Sequence, residues 1–212
     1  MLTATNIIEG AYYAMDQAGQ LLNDAVVLYE RKRWPSSLML AVFSLEELGK
    51  AEALLCRARD SVDTGPKNVQ DVMAGLAAHR TKLRTGRGPL TITATISFWG
   101  DIPEPGTREM AEIEQRLADA DRIAQENAPR EAHEARMRAL YVDLGDGELW
   151  QRPTETTSKE AYLMLSAASV EYGVRRVKFV NPTDAVVRQA QIDLVGRLPR
   201  LPEAPEVNWP RD

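Results

Sequence analysis

Residues 41–55, AVFSLEELGKAEALL, constrain the fold of this chain more than any other stretch. Nearly every residue in it is apolar, small or a good helix former, and apolar side chains would cover most of a helix surface there. A helix that is apolar on most sides is buried among other helices. Pro35 suits the first helical turn, where its missing N–H costs nothing. The sequence therefore predicts a central helix over about residues 35–60.

The same stretch carries three charged residues, Glu46, Glu47 and Lys50. Glu46 and Lys50 are i,i+4 neighbours with the acid first, which is the favourable order for a helical ion pair. Adjacent helical residues point about 100° apart, so we expect one of the two glutamates to face protein. Such a carboxylate needs a partner or a shifted pKa. Two interpretations remain open: a solvated ion pair, or a polar network with a structural or functional role.

Helical periodicity recurs on both sides of this stretch. It predicts helices from a capping box at Asn6 and Glu9 to Tyr29, over residues 69–83, from Thr107 onward, from a capping box at Thr157 and Glu160, and over residues 187–198. The fold class is all-α, a single helical-bundle domain of four to five main helices over residues 1–198. Alternation in TITATISFW predicts a small β-like insert at 84–106, and Asp146-Gly147 predicts a hairpin at 141–151. Residues 199–212 form a Pro-rich tail, extended or loosely docked.

Composition restricts the classes of function. The net charge of −5 gives no global positive field, so any contact with nucleic acid needs a local basic patch. Cys56 is the only cysteine, which excludes an internal disulfide and a cysteine-based zinc site. Its position in the apolar helix predicts a packed, inert thiol. Without a signal-peptide pattern or a long apolar run, we expect a cytoplasmic protein that does not contact a membrane.

The most basic stretch is HRTKLRTGR, residues 79–87. His79 and Lys82 share a helix face, and Arg80, Arg84 and Arg87 add charge. The stretch would serve as an anion or RNA-backbone contact, with His79 as acid, base or donor. The alternative is a helix C-terminus that is rich in cations because the helix dipole favours them there.

A third cluster lies in RMRALYVDLGDGELW, where Arg136 and Arg138 precede the hairpin and Asp143 lies within it. Asp143 would pair with Arg138 or with the basic helix. No metal and no cofactor are expected, because neither histidine has a Glu three residues earlier and HEARM lacks the second histidine of HExxH.

Three motifs in order, SLEELGKA, HRTKL and ALYVDLGDGELW, resemble the AbiV type of bacterial abortive-infection proteins. That family belongs to the HEPN superfamily of helical nucleotide- and RNA-associated domains, and the resemblance spans about residues 5–180. It implies a HEPN-like bundle, often a homodimer, that defends against phage by halting growth or translation. By position it implies these site residues: Glu46, Glu47 and Lys50 in the EE..K motif, His79 and Lys82 in the H..K motif, and Asp143 in LYVD.

One departure bears on catalysis. Catalytic HEPN ribonucleases usually carry an arginine, four to six residues and then a histidine, whereas only two residues separate Arg130 from His133 here. The first hypothesis is an effector that contacts RNA or the ribosome, in one form as a metal-independent ribonuclease. His79 is then the acid/base, Lys82 and Arg80 hold phosphate, and Glu46 or Glu47 orients them.

The second hypothesis is a non-catalytic module that binds another protein, such as a phage component that activates it. The Glu, Lys and His side chains then form a structural polar network. Both hypotheses require that the acidic pair of the second helix meets the face of the third helix that carries His79 and Lys82.

Overall fold

The computed structural model describes residues 1–74, 76, 134–137, 139, 143, 144, 150, 151 and 153–207. Its helices are α1 (Ala4–Glu30), α2 (Trp34–Thr64), α3 (Val69–Met73), α4 (Ser158–Val180) and α5 (Ala185–Asp193), with residues 134–137 also helical. Strands β1 (Asp143–Leu144) and β2 (Trp150–Gln151) precede a short 3-10 turn at Pro153–Glu155. The architecture confirms the predicted all-α helical bundle.

Helices α1 and α2 form an antiparallel pair held by small residues. Ser44 Oγ donates to Ala18 O at 2.9 Å, and Ser37 Oγ donates to Ala25 O at 2.8 Å. Fully buried small residues recur every seven positions on both helices: Ala11, Ala18 and Ala25 on α1, and Ser37, Ser44, Ala51 and Ala58 on α2. Small side chains let two helix backbones approach closely. Each serine hydroxyl donates to a carbonyl oxygen of the facing helix, so it is not left buried without a hydrogen bond.

Helix α4 packs antiparallel to α1 and supplies a third side of the core. The Tyr12 and Phe179 rings meet edge to face with centroids 5.0 Å apart, and Tyr29 lies near Tyr162 at the other end of both helices. Aliphatic residues of all three helices are sealed from solvent between these contacts, among them Ile8, Met15, Leu22, Leu45, Leu48 and Leu165.

The helix starts test two predicted capping boxes. Thr157 caps α4 as predicted: its Oγ1 accepts from the Glu160 backbone N–H, and Glu160 reciprocates. The predicted box at Asn6 and Glu9 is wrong. Thr3 is the N-cap, and Asn6 is the residue that reaches back to the Thr3 N–H at 3.2 Å. A short amide at that position replaces the Glu or Gln of the usual signature, which moves the helix start toward the N-terminus.

Other predicted elements have mixed outcomes. Strands β1 and β2 pair antiparallel within the predicted hairpin, with Asp143 opposite Gln151. The insert at 84–106 and the helix from Thr107 lie outside the described residues. The predicted third helix, residues 69–83, begins at Val69 but ends at Met73 in the structure, because Ala74 leaves the helical conformation. Its residues 77–83 lie outside the described part of the chain. Cys56 is exposed, so the prediction of a packed thiol is wrong. Leu55 and Ala58 turn toward the core, and position 56 therefore points outward.

The chain after α5 lies against the bundle. Tyr172 Oη donates to Pro202 O at 2.8 Å, and Ser169 Oγ donates to Pro205 O at 2.7 Å. Leu201 is buried, and Arg176 pairs with Glu203 at 2.5 Å. The first residues of the tail are thus docked by specific hydrogen bonds rather than loosely. None of the helices in the described part of the chain has the length and apolar character that crossing a bilayer requires.

Candidate functional site

Glu46 is the buried member of the acidic pair on α2. Its residue is only 4% exposed, and its Oε1 accepts a hydrogen bond from Arg136 Nη1 at 3.0 Å. The Arg136 guanidinium also lies over the Phe43 ring, 5.1 Å from the ring centroid. Phe43 and Glu46 are three residues apart and share one face of α2, so that face offers the cation both a carboxylate and an aromatic surface.

The pair formed by Glu46 and Arg136 is shielded from water, with side-chain exposures of 5% and 14%. Removing one partner of such a pair leaves the other charge buried without compensation, which is strongly destabilising. The Glu46 carboxylate is thereby held in one orientation at the surface where α2 meets the helical residues 134–137. This bears out the expectation that one glutamate faces protein.

Glu47 and Lys50 form a separate, more solvated pair. Lys50 Nζ lies 3.1 Å from Glu47 Oε2, and the two side chains are 33% and 20% exposed, respectively. Of the two interpretations left open by the sequence, the ion pair of Lys50 with Glu46 across i,i+4 is not the one found, and Lys50 pairs with Glu47 across i,i+3 instead. Glu46 turns inward to Arg136, which leaves Glu47 as the carboxylate that Lys50 reaches near the helix surface.

A second charged cluster joins α2 to α4 and was not predicted from the sequence. Glu171 is fully buried and accepts a hydrogen bond from Arg175, one helical turn away. Arg175 Nε lies 3.9 Å from Glu52 Oε2, and Lys178 Nζ lies 3.3 Å from the same oxygen. The signal available in the sequence was an acid followed four residues later by an arginine, a spacing that places both on one face of a helix.

The remaining predicted site residues lie where the structure gives no side-chain description. His79, Arg80, Lys82, Arg84, Arg87 and Arg138 are outside the described residues. Asp143 is described through its backbone pairing with Gln151 alone. The meeting of Glu46 with His79 and Lys82 therefore stays a prediction. In the described part of the chain, no three His, Cys, Asp or Glu side chains come close enough together to hold a metal ion.

The described residues form an all-α bundle in which a buried glutamate of the second helix pairs with Arg136. A sequence model of the AbiV family, HEPN_AbiV, matches residues 6–170, so the chain belongs to the AbiV family. It is accordingly an abortive-infection defence protein of the HEPN type. No curated protein and no solved structure matches the chain. The matched region contains Glu46, Glu47, Lys50 and Arg136 and ends just before Glu171.

Proposed function

We propose that this AbiV-family protein is an anti-phage effector that acts on RNA or on the translation machinery. The observation that supports the proposal is the buried Glu46 carboxylate within the family-matched region. It is held by Arg136, whose guanidinium lies over the Phe43 ring. A fixed carboxylate in a shielded setting interacts strongly with any cation or imidazole that a neighbouring helix brings to it. The HRTKL motif supplies both groups in the sequence.

In the ribonuclease form of this function, no metal takes part. His79 transfers the proton, while Lys82 and Arg80 bind the phosphate and stabilise the charge that develops on it. Glu46 or Glu47 orients these groups. Because the chain lacks the usual arginine and histidine spacing, the proposed acid/base is His79 with groups from another helix, rather than a pair within one motif.

The second candidate is a non-catalytic module that binds a phage or host protein. It is favoured by a specific observation: the acids on the inner side of α2 have partners within the fold, Glu46 with Arg136 and Glu52 with Arg175 and Lys178. A buried charge pair fixes the register of the elements that carry it. In this version His79 and Lys82 extend the same structural network.

The experiment that separates the two candidates uses the only two histidines. Purified wild-type protein, His79→Ala and His133→Ala are incubated with total RNA and with ribosomes, and cleavage and binding are measured. The effector proposal expects cleavage or binding that His79→Ala abolishes and that His133→Ala retains. The same three variants are expressed in cells with and without phage. Protection that requires His79, with no RNA or ribosome effect, would favour the interaction module.

A further inference from the structure

The segment after α5 lies in a groove between α1 and α4. The residues of this α1–α4 groove that contact the segment are Gly19, Ser169, Tyr172, Gly173 and Arg176. Ser169 Oγ donates to Pro205 O at 2.7 Å, and Tyr172 Oη donates to Pro202 O at 2.8 Å. Because residue 169 meets residue 205 and residue 172 meets residue 202, the segment runs antiparallel to α4.

The sequence of the segment favours an extended backbone. Pro199, Pro202 and Pro205 are spaced by three residues, which is the period of a polyproline II helix. Each proline restricts its own φ and disfavours the α-helical region for the residue before it. Among the described residues, no backbone–backbone hydrogen bond involves positions 199–207. The carbonyl groups of such a chain are therefore free to accept hydrogen bonds from the groove.

Two glycines let the segment approach both helices closely. A Cβ at Gly19 of α1 would lie 3.0 Å from Pro202 Cγ, and a Cβ at Gly173 of α4 would lie 3.5 Å from Ala204 Cβ. The backbone of each helix is thus open to the segment at the point where the segment crosses it. Since Ala204 lies against the α4 backbone, position 204 has space for a small side chain.

Two further side chains of the segment have specific partners. Leu201 is 6% exposed and packs into the hydrophobic core. Glu203 is exposed, but its Oε1 accepts a hydrogen bond from Arg176 Nη2 at 2.5 Å. The same Nη2 lies 3.5 Å from Leu201 O. The groove therefore suits an apolar residue, a proline, an acid, a small residue and a second proline in that order, as in the Leu-Pro-Glu-Ala-Pro sequence at 201–205.

From these contacts we infer that the α1–α4 groove is a binding site for proline-rich extended peptides, and that a partner protein carrying this five-residue pattern displaces the chain's own C-terminal segment. The occupant of the groove defines the chemistry of the partner. Polyproline II segments bind to grooves that offer aromatic side chains and hydrogen-bond donors, because their carbonyl groups are unpaired and their backbone is already ordered. Tyr172 supplies the ring and a donor, and Ser169 and Arg176 supply the other donors.

The segment can be displaced because few contacts hold it. Among residues 199–207 only Leu201 is buried, and the pair of Glu203 with Arg176 lies at the solvent-exposed rim. The segment nevertheless benefits from being tethered, since an intramolecular ligand acts at an effective concentration on the order of 1 mM. A free peptide should therefore bind weakly to the wild type and much more tightly once the segment is released. The segment lies beyond residues 6–170, which match the family model, and the inference does not depend on any activity on RNA.

The test measures binding of a fluorescein-labelled peptide with the sequence of residues 198–207, LPRLPEAPEV, to the full chain by fluorescence anisotropy. A released variant carries Leu201→Ser and Pro202→Gly, and it should bind the peptide about ten-fold or more tightly than the wild type does. The matched control peptide carries Pro202→Ala and Pro205→Ala. It should bind the released variant about ten-fold more weakly, because alanine does not hold the extended backbone in advance.

The groove side is tested by adding Ser169→Ala and Tyr172→Phe to the released variant. Each substitution removes one hydroxyl donor and keeps the rest of the side chain, so the pair should weaken peptide binding about ten-fold or more. Circular dichroism reports whether each variant is folded.

Thiol labelling gives a readout that needs no released variant. In a Cys56→Ser background, Leu201→Cys places a thiol at the buried position of the segment, and an excess of unlabelled peptide should speed its reaction with a maleimide. Val62→Cys on α2 is the control, because Val62 is 56% exposed and its labelling should not respond to the peptide.

Two results would overturn the inference. One is a folded released variant that does not bind the peptide, or that binds it equally well without the Ser169 and Tyr172 hydroxyls. The other is a released variant that unfolds, together with labelling at position 201 that the peptide leaves unchanged, because the segment would then be a fixed part of the core.

Discussion

At the scale of single residues, the neighbouring residues Glu46 and Glu47 of α2 lie in different environments, because adjacent helical residues point about 100° apart. Glu46 faces inward and binds Arg136, whereas Glu47 stays near solvent and binds Lys50. Exposed ion pairs contribute little to stability because water and salt screen them. Removing one partner of a shielded pair destabilises the fold strongly, because the other charge is left buried without compensation. The two neighbouring glutamates should therefore respond very differently to the same substitution.

Glu46→Gln is expected to lower the free energy of unfolding by about 3 kcal/mol, because it leaves the Arg136 charge shielded from water without a counter-ion. Glu47→Gln, the adjacent control, should cost ~0.5 kcal/mol or less. Urea unfolding followed by circular dichroism measures both values. Equal effects at the two positions would contradict the assignment of Glu46 as the buried partner.

Asp184 makes a prediction about acid stability. It caps α5 by accepting from the Val186 N–H at 2.8 Å, and its other oxygen lies 2.6 Å from Arg59 Nε. Partial burial by itself would raise the pKa of Asp184, but the hydrogen bonds from Arg59 and from the two backbone N–H groups outweigh it and lower that pKa below its ordinary value.

A carboxyl whose pKa is lower in the folded state stabilises the fold above its unfolded pKa, and the contribution is lost as pH falls through the folded pKa. The stability gap between wild type and Asp184→Asn should therefore be full at neutral pH and should close as the pH falls below about 4. Asparagine keeps the helix cap, so the comparison isolates the charge. Denaturant unfolding across this pH range measures the gap; a gap that does not change with pH would contradict the prediction.

At the scale of elements, the close approach of α1 and α2 depends on residue size rather than on hydrophobicity. The facing positions are alanine or serine, and the two serines donate to carbonyl groups on α1. Such an interface has no space for a larger side chain, and overpacking forces backbone shifts. The sequence alone suggested a helix that is apolar around most of its surface. It did not indicate which apolar positions had to be small.

Ala51→Leu should therefore destabilise the protein by about 1–3 kcal/mol although leucine is more apolar than alanine. Cys56→Leu, on the exposed side of the same helix, should have little effect, since nothing packs tightly there. Thermal unfolding of the two variants measures the difference. If Ala51→Leu were as stable as the wild type, the two helices could not be as closely packed as the structure has them.

At the scale of the whole molecule, the chain after α5 returns to α1, the first helix of the fold. Arg197 Nη2 lies 2.7 Å from Glu9 Oε1, and the C-terminal segment crosses α1 where Gly19 faces Tyr172 and Pro202. A Cβ at Gly19 would lie 2.5 Å from Tyr172 Oη and 3.0 Å from Pro202 Cγ. Burial in a low-polarity site, partly opposed by Arg176, raises the pKa of Tyr172 to about 12, so its hydroxyl remains a donor to Pro202 O.

Gly19→Ala is expected to destabilise the protein by about 1–3 kcal/mol, because Tyr172 and Pro202 must both move. Gly10→Ala is the matched control on the same helix: its Cβ would meet only Leu54 Cδ1 at 3.6 Å, an ordinary contact. There the gain in helix propensity should leave stability unchanged or raise it by up to ~1 kcal/mol. Urea unfolding gives both values, and hydrogen exchange of residues 201–207 should rise in Gly19→Ala alone.

The local pattern of the sequence was enough to predict α1, α2, α4 and α5, the cap at Thr157 and the hairpin, because periodicity and capping chemistry act within a few residues. It was also enough to place one glutamate of α2 against protein and, through three motifs, to indicate the AbiV family. It could not select Glu46 over Glu47, assign Arg136 as the partner, or reveal Glu171 with Arg175 and Glu52. Those contacts join residues up to 123 positions apart, from Glu52 to Arg175, and only the packing of α2 against the other elements decides which side chains meet.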